Sequence, residues 1–190
     1  LEPVKAGLVW ESSPGLVYQV EYMYGYVRFK VEPPKIGNEN NPDYKEGNAV
    51  IAVYDKSDNI IWSWHIWITD KPVEKTVTSD GIDVIFLDRN LGATSATSGL
   101  IMVSPDVFFA TYGLYYQWGR KDPSMGPPTA DFKPQSTTTS LYYDTYAHVL
   151  SSAEVYNVVR PTVSDGVLHP MYLIMPVELS PYYQFDWLYE

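Results

Sequence analysis

Cysteine is absent from the chain, which excludes disulfides, thiolate metal sites and cysteine nucleophiles without fixing a compartment. No run of Lys or Arg occurs, and the formal charge is −10. A phosphate-binding face needs clustered cations, so the charge argues against nucleic acid and anionic lipid as partners. No apolar stretch approaches the roughly 20 residues that span a bilayer, and Leu1-Glu2-Pro3-Val4-Lys5 has none of the regions of a signal peptide. The N-terminus therefore reads as mature protein or as part of something longer. Histidine is scarce: His65, His148 and His169 are the only three. None stands in an HExxH-like spacing, so the usual acid, base and metal constellations lack material.

Aromatic residues are abundant, with 17 Tyr and 6 Trp among 190 residues. Leu-rich helical stretches are few, which favours pleated, half-buried surfaces and a mainly β fold with minor α (α+β). Val27, Phe29 and Val31 alternate with Arg28, Lys30 and Glu32, as the two faces of a strand require. Strands are expected near Gly7–Glu11 and Val17–Met23, joined by Ser12-Ser13-Pro14-Gly15, with a surface loop at Lys35–Glu46. Ala49–Tyr54 and Asn59–Thr69 flank Asp55-Lys56-Ser57-Asp58 as a hairpin. Its second strand places Ile60, Trp62, Trp64, Ile66 and Ile68 on one face and Ile61, Ser63, His65 and Trp67 on the other. It is expected to be central and covered on both sides. Five such strands predict a small Ig-like β-sandwich over residues 1–72, with Asp70–Gly81 as a connection to a second unit over residues 73–190.

In that second unit Ile82–Leu87 reads as a strand. A helix is predicted from Ser104 as N-cap through Pro105 and Asp106 to a stop at Gly119. Asp122–Tyr143, with Pro123, Pro127, Pro128, Pro134 and a Ser/Thr tract, reads as an irregular excursion. A helical turn is expected around Ser151–Val159 and a strand around Met171–Met175.

Three segments carry the strongest signal in the chain. They are Ile60–Thr69 with Trp62, Trp64, His65 and Trp67; Leu87–Ser95 with Asp88, Arg89 and Asn90; and Gly113–Pro123 with Trp118 and Arg120. Together with Gly47–Val53 they resemble surface proteins of Bacteroidota described as fimbrillin-like or as a Fibrobacter-type major paralogous domain. The likeness runs over Gly47–Pro123, and more weakly over His169-Pro170-Met171 and Asp186-Trp187. It implies an exported protein at the cell surface or outer membrane. A β-sandwich would there lead into a C-type-lectin-like domain related to formylglycine-generating enzymes. The family's CPxGWRxP-type segment has no counterpart here, which implies a truncated or unusual second domain. Without cysteine, the chemistry of the sulfatase-modifying relatives is excluded.

Asp88 and Asn90 have the oxygen donors for a weak calcium site. The plainer reading pairs Asp88 with Arg89 at a strand end. No other cofactor is expected. Arg120-Lys121-Asp122 past a helix end suits a dipole and salt-bridge role. Tyr142, Tyr143, Tyr146, Tyr182, Tyr183 and Trp187 are candidates for stacking on sugar rings, although aromatics also build cores and interfaces. The resulting expectation is a non-enzymatic structural or adhesive surface protein, meeting other surface or fimbrial proteins. The alternative is a glycan-binding module that captures host or dietary polysaccharide. The tryptophan strand is then scaffold, with Trp64→Ala expected to cost about 3–5 kcal/mol.

Overall fold

The fold is that of a computed structural model, which describes residues 2–12, 14–31, 46–96, 110–123 and 155–176. It is mainly β, with a single short helix among the described residues. The strands are β1 (Lys5–Glu11), β2 (Val17–Met23), β3 (Tyr26–Val31), β4 (Gly47–Tyr54), β5 (Ile60–Ile68), β6 (Glu74–Ser79), β7 (Ile82–Leu87), β8 (Val155–Val158) and β9 (Leu173–Pro176). Helix α1 (Val163–Leu168) lies between the last two.

β1, β4 and β5 form an antiparallel sheet in the order β1-β4-β5. β4, not the tryptophan strand, is its centre. Gly47–Val53 is a continuous run of small and β-branched residues, the pattern of a strand with no solvent face, and Ala49 through Val53 are all buried. β5 fails that test because bulky Trp62 and Trp64 alternate with small Ser63, and the two indoles stay 44% and 39% exposed. Ala49 and Ile51 point to one face and join Val17 in the core, with Val20, Val27, Ile66 and Ile68 packed around them. This apposition lays the β2–β3 hairpin over that face. Asn48, Val50 and Ala52 alternate onto the other face, opposite Trp67, His65 and Ser63 of β5.

Three expectations fail beyond β5. Asp70–Gly81 is not a plain connection, because Glu74–Ser79 forms β6 and pairs with β7 from Glu74↔Leu87 to Ser79↔Ile82. Asp80 and Gly81 both have positive φ, 52° and 77°, as the two-residue turn of a tight hairpin requires. The helix predicted up to Gly119 is absent over 110–119, and its start at 104–109 lies outside the described residues. Gly113 has φ 73°, and a Cβ there would stand 2.5 Å from the Leu91 carbonyl oxygen, so this glycine serves close loop contact, not a helix. The helical turn expected at Ser151–Val159 is instead β8 over Val155–Val158, where β-branched residues suit the pleat. Helix formation waits until Thr162, whose side chain caps the Asp165 amide while Asp165 caps the Thr162 amide. α1 thereby provides the crossover that lets β8 and β9 pair in parallel.

The burial pattern changes the cost expected of Trp64→Ala and sets it below that of a core substitution. Ile51→Ala should cost about 2–5 kcal/mol, because it opens a cavity between sheet and hairpin. Trp64→Ala should fall below the 3–5 kcal/mol expected of a buried tryptophan, since part of the ring already meets solvent. Chemical denaturation of the two variants side by side checks the order.

Candidate functional site

The face of β4 and β5 turned away from the hairpin carries three polar side chains, Asn48, Ser63 and His65. A polar group removed from water must find a partner or cost free energy. Asn48 is buried, and its Nδ2 donates to the Gly92 carbonyl at 2.8 Å. Its Oδ1 therefore faces His65 Nε2 at 2.9 Å, which places the imidazole proton on Nε2. His65 Nδ1 is left as an acceptor for the Tyr116 hydroxyl at 3.0 Å. One directed chain, Tyr116 to His65 to Asn48 to Gly92, thus joins the sheet to the loops that follow β7. Burial holds the His65 imidazole below its ordinary value of 6.5, with Asp122 acting weakly the other way. Burial pushes the Tyr116 phenol up to about 12, with Asp122 adding to the effect. Trp67 closes the same face by donating from Nε1 to the Ala93 carbonyl at 3.1 Å.

Ser63, Lys121 and Asp122 form the second cluster. Ser63 Oγ lies 2.8 Å from Asp122 Oδ2, and Lys121 Nζ reaches Ser63 Oγ, the Ser63 carbonyl and Asp122 Oδ2 at 2.5, 3.0 and 2.5 Å. A serine beside a lysine is the outline of a nucleophile and its base. Here the serine is 2% exposed, and its hydroxyl is already bonded to Asp122 and Lys121. The cluster is an anchor. Its ammonium also stands 4.5 Å over the Trp62 ring, a favourable placement for a cation.

Arg120 fastens α1 and the segment leading into β9. Its guanidinium donates to the carbonyls of Tyr172, Gly166 and His169, the last two at 3.2 and 2.8 Å, and to Gln117 Oε1 at 3.1 Å. Gln117 acts as one residue of a strand: its Nε2 donates to the Ile174 carbonyl and its Oε1 accepts from the Ile174 amide, both at 2.9 Å. Arg120 and Lys121 are not helix-end residues as their sequence context suggested. They tie α1 and β9 to the sheet. Trp62, Gly119, Arg120, Lys121, Val163, Gly166 and Val167 line a shallow groove of about 180 Å³ between β5 and α1. Lys121 and Arg120 are engaged with the protein, so the groove is an apolar surface with cations built into its wall.

The remaining sequence candidates are distributed as follows. The Arg89 side chain is 5% exposed and bonds Asp88 through Nε at 2.9 Å and Asp70 through Nη1 at 2.5 Å. It also reaches Thr69 Oγ1 at 3.1 Å. The Arg89 guanidinium beside Asp88 and Asp70 holds both carboxyls below their usual range. Both Asp88 oxygens meet Arg89, while Asn90 donates its amide to the Thr111 and Tyr112 carbonyls. Among the described residues no group of three or more His, Asp or Glu could hold a metal ion. Trp118 is 87% exposed at the turn before Gly119, and so does not serve as buried scaffold. Tyr142, Tyr143, Tyr146, Tyr182, Tyr183 and Trp187 lie outside the described residues. Reading the sequence missed Asn48, Ser63, Tyr116 and Gln117. The available signal was a lone Asn or Ser inside an otherwise apolar strand, which implies a polar partner waiting elsewhere.

Arg120→Lys should destabilise the protein by about 2–4 kcal/mol. A lysine keeps the charge but loses the planar fork, leaving carbonyls of α1 and its flanks without donors. Urea unfolding, compared with Arg28→Lys on the exposed β2–β3 hairpin, checks this. Comparison of the chain with protein-family models, curated proteins and solved structures returns no match.

Proposed function

We propose that the chain is a non-enzymatic structural or adhesive component of a bacterial cell surface, built from a β-sandwich and a C-type-lectin-like unit. The observation that carries this reading is the use made of the reactive side chains. His65, Ser63, Lys121, Asp122, Asp88 and Arg89 are engaged in bonds that hold segments together, and His169 stacks on Tyr156 at 3.8 Å between ring centres. An active site instead needs such groups to converge on space a substrate can enter.

Further support comes from the β6–β7 hairpin, all of whose residues are exposed. Val77, Ile82, Val84 and Phe86 share one face by the pairing register, and they are 44% to 65% exposed. Contiguous apolar surface of this kind marks interaction sites. The packing of β2–β3 over β1-β4-β5 supports the sandwich. The loop-rich course of 88–96 and 110–123 suits a lectin-like unit. Surface location, and the fimbrial and surface proteins proposed as partners, rest on the resemblance of Gly47–Pro123 described above. No helix among the described residues is long and apolar enough to cross a membrane.

A glycan-binding module is the second reading, favoured by the exposed indole of Trp118, whose face suits the C–H face of a pyranose. The two readings separate experimentally. Sedimentation velocity over a wide concentration range should show association of the native chain and its loss in Val84→Asp/Phe86→Asp. A hydrolase and transferase panel run on the same samples should give no turnover. Turnover abolished by a single substitution overturns the proposal. Glycan-array signals lost in Trp118→Ala, with no self-association, transfer it to the second reading.

A further inference from the structure

The two-residue turn between β2 and β3 is made by Tyr24 and Gly25, both with positive φ, 53° and 82°. The β6–β7 hairpin makes its turn in the same way with Asp80 and Gly81. Glycine or a short polar residue suits the first of these positions, whereas a bulky side chain there sets its Cβ against the following carbonyl. Tyr24 bears that strain and contributes nothing to the fold in return. It is 90% exposed, Tyr26 just beyond the turn is 73% exposed, and neither side chain makes a hydrogen bond or ring contact among the described residues. A Cβ placed on Gly25 between them would meet nothing within 4 Å. Backbone strain that holds an aromatic ring in open solvent points to contact with another molecule.

We propose that this tip binds an uncharged glycan, with Tyr24 and Tyr26 stacking on pyranose faces and Glu21 and Arg28 meeting the hydroxyls. The inference rests on the glycan-binding reading above and gives it a site on the β2–β3 hairpin. Met23↔Tyr26 and Glu21↔Arg28 are two rungs apart in the register, so they share one face about 7 Å apart along the ribbon. That face is the outer one, because Val27 on the other packs against the core. Arg28 Nη2 donates to Glu21 Oε2 and to Met23 Sδ, both at 3.2 Å. Carboxylate acceptors and guanidinium donors thus stand together beside the rings with their charges balanced. A protein partner fits less well. Two tyrosines offer about 300–500 Å², and the patch ends at Glu21, Arg28 and Lys30, whereas a stable protein interface takes about 800 Å² from each side. An acidic polysaccharide is opposed by the chain's charge of −10.

The test is affinity electrophoresis of the full chain through gels holding xyloglucan, galactomannan, dextran or mixed-linkage β-glucan, with polygalacturonate as the acidic comparison and thermal melts of every variant. At least one neutral polymer should retard the native chain. Tyr24→Asn and Tyr26→Thr should each weaken that binding at least tenfold, while Trp118→Ala binds as the native chain does. Tyr24→Asn should melt at or above the native temperature, because asparagine suits the turn. Binding unchanged in Tyr24→Asn/Tyr26→Thr overturns the tip as the site, and its loss in Trp118→Ala would then leave the glycan reading standing at Trp118. Retardation by no polymer overturns both, and retardation by polygalacturonate alone overturns the uncharged class. A Tyr24→Asn variant that melts several degrees below the native chain shows that the tyrosine serves the fold, and overturns the proposal as well.

Discussion

β4 has no solvent side, and the rest of the structure follows from that constraint. A strand covered on both faces must bring an apolar layer to each. On one face this is simple, because Ala49 and Ile51 meet Val17 and the aliphatic side chains around it. The other face starts with Asn48, which is also buried. A buried amide has several hydrogen-bonding positions to satisfy. Gly92, His65 and, through His65, Tyr116 are placed by that demand. The amide thus does for one face what apolar contact does for the other, with the difference that it accepts only one arrangement of donors and acceptors.

Backbone conformations around this chain are arranged to let the loops come close. Gly92 has φ 87°, and a Cβ there would lie 2.6 Å from Leu114 Cγ. Gly113 stands in the reciprocal position against the Leu91 carbonyl, and Leu114 donates its amide to that same oxygen at 3.0 Å. Two glycines facing one another's neighbours allow the 90–93 and 110–114 segments to run side by side. Beyond them, Gln117 and Arg120 extend the contact to β9 and α1. Side chains substitute there for strand pairing and for a helix cap. The succession from Asn48 to Ile174 is therefore mostly polar, and it links parts of the chain far apart in sequence.

These polar links also bear on function. Residues that look reactive side by side, such as a serine beside a lysine or a histidine beside a tyrosine, are here bonded to one another. Large apolar side chains on the β6–β7 hairpin, and the Trp118 indole, face outward instead. The contrast between an occupied polar interior and an open apolar exterior is what the proposed surface role draws on.

The early strands were legible in sequence because alternation and turn residues are local signals. β2, β3 and the β4–β5 hairpin lie where Val27, Phe29, Val31 and Asp55–Asp58 indicate. β6 was missed, because its Thr-rich strand lacks large apolar residues and reads as a linker, although Asp80-Gly81 marks a hairpin turn. Periodicity failed at 110–119, since Tyr112, Tyr115 and Trp118 fit a helix until the contact between Gly113 and Leu91 rules it out. Which strand is central was likewise a tertiary matter: tryptophan content marked β5, whereas small side chains that admit two neighbouring layers belong to β4. The sequence alone determined that the fold is rich in β-strands and that cysteine chemistry is excluded, because those depend on composition and short-range pattern. Only the tertiary structure decided the partners of Asn48, His65, Ser63, Gln117 and Arg120, because a polar side chain's partner depends on which distant backbone is brought within about 3 Å of it.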